Sequence, residues 1–290
     1  MNRSATCPQT IGDLQHMTSR LQGRTAVVTG AGQGIGLAIA RRFAAEGARV
    51  MLNDIQAQKV EHAAASIREG GGEALAVAGD AGLAADVDRL FDATTAVWGP
   101  VDILVNNAAI TRDQRHFFNG DEQWWDTYLR VNLTSQYLCI DRAARIMARN
   151  GGGAIVNVSS GGGTRAHRGM VAYDAAKGGS EALTRAAAID LAPYGIRVNT
   201  LVPGLVATDP DEPDWSRERR DQTVPLGRGA TADDMTGAAL FLVSDDAAYV
   251  TGSALVVDGG LLVQQRSPQV DTLRPQDYPP VESVRQPGRT

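Results

Sequence analysis

The sequence predicts a single α/β domain: a doubly wound parallel sheet with helices on both faces. Three observations carry this. Short apolar runs alternate with segments of helical period, the pattern of a parallel sheet covered on both sides. A glycine-rich turn stands between the first such strand and the first helix, and an acid closes the second strand. No shift in composition divides the chain before about residue 263. One domain, 23–263, is therefore expected between an N-terminal extension, 1–22, and a C-terminal tail, 264–290.

The elements follow in order. Residues 1–22 are polar and without period, hence a loose extension. Thr25–Thr29 is a short apolar strand entering the glycine turn. Ile35–Glu46 has helical spacing, with Ile35, Ile39 and Phe43 on one face, and Gly47 ends it. Arg49–Asp54 is a second strand, and 56–70 an alanine-rich helix stopped by Gly70-Gly71-Gly72. Ala74–Ala78 is the third strand, 83–98 the third helix, and Asp102–Val105 the fourth strand. Glu122–Arg149 reads as one long helix, broken by Gly151-Gly152-Gly153. Ala154–Val158 is a strand, Tyr173–Leu191 a helix, and Arg197–Leu201 a strand. Residues 208–224 are acidic, proline-bearing and aperiodic. Ala232–Val243 is a helix and Ala254–Val257 the last strand. The tail, rich in Pro, Gln and Arg, has no period.

Composition excludes several classes. With 43% hydrophobic and 21% charged residues the 290-residue chain has the balance of a globular protein, not a disordered one. Net charge is −5 with no basic run, so no nucleic-acid partner is expected. Two cysteines, Cys7 and Cys139, make no disulfide framework and fit a reducing compartment. No run of 18 apolar residues and no apolar leader is present, so the expectation is a cytoplasmic protein without membrane contact.

The turn reads Thr29-Gly30-Ala31-Gly32-Gln33-Gly34-Ile35-Gly36. Glycines permit positive φ and close backbone approach, and the helix that follows offers free N–H groups to a pyrophosphate. Asp54 lies 18 residues beyond Gly36, where a ribose-binding carboxylate belongs. It also reads as a cap for the helix after it.

The spacing T-G-x-x-x-G-x-G resembles the short-chain dehydrogenase/reductase family, and further blocks match in order. Asn106-Asn107-Ala108-Ala109 is similar to the family's N-N-A-G with Ala for Gly. Val131-Asn132-Leu133 matches the block of the catalytic Asn. Ser160 stands 13 residues before Tyr173, and Tyr173-Asp174-Ala175-Ala176-Lys177 is the Y-x-x-x-K pair. Pro203-Gly204-Leu205-Val206-Ala207-Thr208 resembles P-G-x-x-x-T, and Thr251-Gly252 with Asp258-Gly259-Gly260 the family's last strand and turn. The resemblance covers about Leu21 to Val263.

It implies a Rossmann-like sheet, an NAD cofactor and Asn132, Ser160, Tyr173 and Lys177 as the catalytic residues. Cofactor contacts would come from Gly30, Gln33, Gly34, Ile35, Gly36, Asp54, Asp80, Ala81, Asn107, Ala108, Tyr173, Lys177, Pro203, Gly204, Val206 and Thr208. Lys177 would hold the nicotinamide ribose, and Asn132 a water linking Lys177 to solvent. Physical chemistry supports the carry-over. Tyr173 and Lys177, at i and i+4, share a helix face. A phenol near pKa 10 needs neighbouring positive charge to exchange protons near neutrality. Ser160 can donate to an oxygen where negative charge develops. Taken singly, the same residues read as a surface pair and a turn cap. Asp54 with the neutral Gln33, where NADP-preferring members carry a base, favours NAD.

Substrate would meet Gly161–Met170 and the segment from Asp209 to Trp215, with Arg165, His167 and Trp215 as contacts. These loops are polar and suit a sugar or cyclitol better than a steroid or acyl chain, unless their charges face water. A 3-oxoacyl-carrier-protein-type ketoreductase and a non-catalytic dinucleotide-binding regulator remain as alternatives. Four histidines have no partner at metal spacing, so no metal is expected. Trp125, seven residues before Asn132, is expected in the core. The resemblance implies a homotetramer paired through the helices bearing Asn132 and Tyr173.

Overall fold

The computed structural model describes residues 19–208 and 213–266, with 278 and 280. Its strands are β1 (Thr25–Thr29), β2 (Arg49–Asp54), β3 (Glu73–Ala78), β4 (Ile103–Asn106), β5 (Gly153–Val158), β6 (Ile196–Pro203) and β7 (Ala254–Val257). The helices are α1 (Gly34–Ala45), α2 (Ala57–Glu69), α3 (Ala84–Trp98), α4 (Glu122–Leu129), α5 (Ser135–Arg149), α6 (Val171–Leu191), α7 (Asp214–Asp221) and α8 (Thr236–Val243).

All seven strands pair in parallel, in the order β3-β2-β1-β4-β5-β6-β7. The chain runs outward from β1 to β3 and then returns with β4 on the other side of β1. That reversal opens a crevice beyond the carboxyl ends of β1 and β4, the place where such sheets take a ligand. Alternate residues of each strand point to opposite faces. Val28, Leu52 and Val105 meet Ile39 and Phe43 of α1 and Val60 of α2 on one side. Val27, Met51 and Leu104 meet Leu90 and Phe91 of α3 and Met147 of α5 on the other.

The expected alternation holds, with four local corrections. The helix expected over Glu122–Arg149 is α4, a π-helical turn at Arg130–Thr134, and α5. The widening has a cause: Asn132 donates its Nδ2 to the Tyr128 carbonyl (3.0 Å), the oxygen its own backbone amide would use in an α-helix. The aperiodic stretch 208–224 contains α7, a helix with no buried residue and therefore no apolar period to read. Ala232–Val243 begins as a 3₁₀ turn at Asp233–Met235 before α8. Leu21, placed in the loose extension, is fully buried, and its N–H donates to Glu46 O (3.0 Å). Residues 1–18 with Cys7, the loop residues 209–212 and most of the tail lie outside the described residues.

Candidate active site

The glycine turn is held from below by the end of β4. Asn107 Nδ2 donates to Thr29 O (3.1 Å) and Gly30 O (2.9 Å), and the Asn107 and Ala108 amides both donate to Thr29 Oγ1 (3.1 Å). A Cβ on Gly36 would stand 2.4 Å from Gly30 O and 2.5 Å from Asn107 Nδ2, and one on Gly30 2.7 Å from Ala108 Cα. Only glycine permits this approach. Asn107 is thus spent on shaping the turn, which narrows the cofactor role expected of its side chain.

Above the turn lies a cleft of about 380 Å³, lined by Gly30, Gln33, Gly34, Ile35, Asp54, Asp80, Ala81, Asn107, Ala108 and Thr208, among others. Gln33 caps α1 without a side-chain hydrogen bond, and Leu37 N–H is the first to bond back, to Gln33 O (3.3 Å). The amides of Gly34, Ile35 and Gly36 are therefore left for an anion, with the helix dipole behind them. Gly34 has φ +59°, with Thr208 Cγ2 as the nearest atom a Cβ would meet (3.5 Å). These features fit a dinucleotide pyrophosphate. Pro203, Gly204 and Val206 do not line the cleft; they carry the chain to Thr208.

Asp54 ends β2 and reaches back across the turn. Its Oδ2 accepts from Gly32 N–H (3.1 Å) and its Oδ1 from Gln56 N–H (3.0 Å). Asp54 lines the cleft and also braces the entry to α2, where Gln56 and not Asp54 holds the N-cap position. Lys59, which the sequence did not single out, donates its Nζ to Gln33 Oε1 (2.8 Å) and brings an ammonium to this lip. At the far end Asp80 Oδ2 pairs with Arg130 Nη1 (2.5 Å). Lys59 and Arg130 were invisible to spacing arguments because their partners are distant in the chain.

The second group of residues adjoins the cleft through Ile110. This residue lines the cleft, packs against the buried cluster that contains Tyr173 and donates its N–H to Asn132 Oδ1 (3.1 Å). Tyr173 is buried among Trp124, Tyr128 and Ala172. Here the expectation for Trp125 is corrected: Trp124 is the buried indole, 6% exposed, and Trp125 is 37% exposed. Asp121 caps α4 through Trp124 N–H (2.7 Å), which turns Trp124 inward, where its Nε1 donates to Asp113 O (3.1 Å).

Burial raises the Tyr173 phenol above its ordinary value, the hydrogen bond from Ser160 pulls it back, and Asp174 adds to the rise. Lys177 Nζ lies 5.5 Å from the centre of the Tyr173 ring and donates to Val158 O (2.8 Å). Ser160, not Ser159, is the serine that lowers the phenol. Ser159 is turned inward, its hydroxyl on Lys177 O and Glu181 Oε1 (3.2 Å each). Of the expected substrate contacts, Arg165 Nη1 donates to Gln264 O (2.7 Å), and His167 Nδ1 pairs with Asp174 Oδ1 (2.8 Å). Trp215 stands 67% exposed on α7. Asp174, beside Tyr173, was missed as the partner of His167.

Lys177 is 1% exposed, and burial lowers its ammonium to about 8. Between that value and 10.5 the unfolded chain holds the proton and the folded chain does not, so this group's contribution to stability rises with pH there. Below about 8 the buried charge costs on the order of 3 kcal/mol. Lys177→Met should therefore melt no lower than the parent at pH 7, despite the lost bond to Val158. A calorimetric Tm lower by more than about 4 °C would show that the ammonium stabilises the fold.

A larger open hollow of about 790 Å³ lies at the amino ends of β1, β4, β5 and β6, the end of the sheet opposite the cleft. Its arginines are occupied: Arg24 on Asp245 and Val243 O, Arg197 on Leu242 O and Ser244 O. Among the described residues no His, Cys, Asp and Glu side chains cluster as a metal site, and no helix is long and apolar enough to cross a membrane.

A parallel sheet with a phosphate turn at its switch point and a Ser–Tyr–Lys group beside it defines a nucleotide-dependent oxidoreductase. The chain belongs to the short-chain dehydrogenase/reductase family: the family model described as Enoyl-(Acyl carrier protein) reductase matches residues 30–262. It is 41% identical over 254 residues to L-rhamnose 1-dehydrogenase (NAD(P)(+)) of Azotobacter vinelandii, covering 83% of this chain and 97% of that protein. It is 41% identical over 256 residues to galactitol 2-dehydrogenase (L-tagatose-forming) of Cereibacter sphaeroides, covering 84% and 97%. A solved structure from Agrobacterium tumefaciens, described as a candidate gluconate dehydrogenase, superposes with TM-score 0.81 at 33% identity, covering 86% of this chain and all of that one. The protein is thus an oxidoreductase acting on CH–OH groups with a nicotinamide dinucleotide.

Proposed function

We propose that this chain is a cytoplasmic, NAD(H)-dependent dehydrogenase that interconverts a secondary alcohol and a ketone on a polyhydroxylated substrate such as a sugar or cyclitol. The observation that carries the chemistry is Tyr173, buried, with the Lys177 ammonium 5.5 Å from its ring centre and Ser160 lowering its phenol against the rise that burial causes. Relatives named for L-rhamnose and galactitol support the substrate class, as do the charged loops around Arg165 and His167. The bound nicotinamide supplies the hydride acceptor. Ser160 holds the substrate oxygen, and Tyr173 takes its proton during oxidation. Burial alone keeps the phenol protonated, so positive charge from Lys177 and from the cofactor ring must favour the phenolate. Asn132 holds the backbone between Tyr128 and Ile110, and its Oδ1 keeps a second acceptor position for a water on the way from Lys177 to solvent. Following NADH absorbance across sugars, cyclitols and simple secondary alcohols, with each dinucleotide, tests the assignment. Turnover confined to simple apolar alcohols would remove the polyol reading.

A second reading, a 3-oxoacyl-carrier-protein-type ketoreductase, is favoured by the acyl-carrier-protein description of the matching family. Acetoacetyl thioester reduction exceeding polyol oxidation would select it.

The assembly in this reading is a homotetramer through α5 and α6. Tyr137 and Ile189 stand 56% and 76% exposed there, and Ala182 and Ala186 are exposed between them. Light scattering at micromolar concentration should give four times the chain mass; a monomer would refute it.

A further inference from the structure

The adenosine end of the cleft holds a cation that no motif accounts for. Arg130 opens the π-helical turn, two residues before Asn132. Its Nη1 reaches Asp80 Oδ2 at 2.5 Å across 50 residues of chain, and the other oxygen of Asp80 accepts from Gly82 N–H (2.8 Å). The Asp80 side chain is only 18% exposed, and Asp80, Gly82 and Arg130 all line the cleft with Asp54. A Cβ on Gly82 would stand 2.9 Å from Arg130 Nη1 and 3.1 Å from Asp80 Oδ1, so glycine is what lets the guanidinium descend onto the loop. The Asp80 amide donates to Asp86 Oδ2 (2.8 Å), and Asp86 is in turn paired with Arg89. The loop after β3 is therefore braced at its backbone and at both carboxylate oxygens.

We propose that Arg130 is a positioning residue for the adenosine half of the dinucleotide, acting through Asp80. Each carboxylate oxygen has two acceptor positions. Arg130 and Gly82 occupy one on each, which fixes the carboxylate plane and leaves the others for the amino edge of adenine. The guanidinium also offsets one of two carboxylates, Asp54 and Asp80, that flank a site built for a polyanion. Residues two apart on a helix face away from one another. The same π-helical turn thus serves Asp80 with Arg130 and the catalytic end with Asn132. This inference rests on the reading of the cleft as a dinucleotide site.

The test is binding by the full-length protein, read by quenching of protein fluorescence. Arg130→Ala should weaken NADH about tenfold, leave reduced nicotinamide mononucleotide, which lacks the adenosine half, within twofold, and keep the Tm. Arg130→Lys should recover part of the loss, and Arg130→Gln should repeat it if the Ala variant folds poorly. Asp80→Ala should weaken NADH similarly, and the double variant no further, because the two act as one unit. NADH affinity unchanged in Arg130→Ala, equal weakening of both probes, or additive losses would each overturn the proposal. If the parent protein itself fails to bind NADH, the dinucleotide reading falls instead.

Discussion

Tyr173→Phe should lower turnover at least a hundredfold and leave NADH affinity within about twofold. Phe keeps the ring, and with it the packing against Trp124, Tyr128 and Ala172 that closes this corner of the fold. What is lost is one hydroxyl, the group whose titration Ser160 lowers. In the proposed reading cofactor binding draws chiefly on the turn amides, Asp54 and Asp80, none of which the change touches. The pH dependence follows from the same group. Oxidation needs the phenolate and reduction the phenol, so kcat should rise with pH in the first direction and fall in the second. Above about 8 Lys177 loses its charge and with it part of its hold on the phenolate. Turnover within tenfold of the parent would remove Tyr173 from the mechanism, since positioned acid–base groups contribute about 10²–10⁴.

The parts of this site legible in the sequence are those fixed by local spacing. The glycine turn follows from backbone sterics at Gly30 and Gly36, and Tyr173 with Lys177 from the i, i+4 rule. The choice of Ser160 over Ser159 rested on its separation from Tyr173, and the inward bonds of Ser159 supply the physical reason. What spacing could not reach was interaction between distant segments. Arg130 with Asp80, and Lys59 with Gln33, are separated by 50 and 26 residues and carry no periodic trace. The π-helical turn escaped because the bond from Asn132 to Tyr128 leaves the apolar period on either side intact. Trp124 and Trp125 are adjacent, so only the cap at Asp121 decides which one turns inward. Helix α7 escaped for the opposite reason: it buries nothing.

NAD⁺ should be used about a hundredfold more efficiently than NADP⁺, and Asp54 is the reason. Its carboxylate is fixed at the lip of the cleft by the amides of Gly32 and Gln56, and each oxygen retains an acceptor position for a ribose hydroxyl. A 2′-phosphate there meets a like charge and displaces those bonds, a difference on the order of 3 kcal/mol. Lys59 opposes this. Its ammonium lies 2.8 Å from Gln33 Oε1 on the same lip and could turn to a phosphate. The fixed charge outweighs the mobile one: a long exposed side chain contributes about 0–1 kcal/mol to an ion pair, after ordering and screening. Lys59→Ala should therefore lower kcat/KM for NADP⁺ a few-fold and widen the ratio. Asp54→Ala should narrow it by weakening NAD⁺ more than NADP⁺. The measurement is kcat/KM for both dinucleotides at one substrate concentration, in the parent and both variants. Equal efficiency in the parent, or a ratio unmoved by Asp54→Ala, would mean that the carboxylate serves the start of α2 and not the ribose.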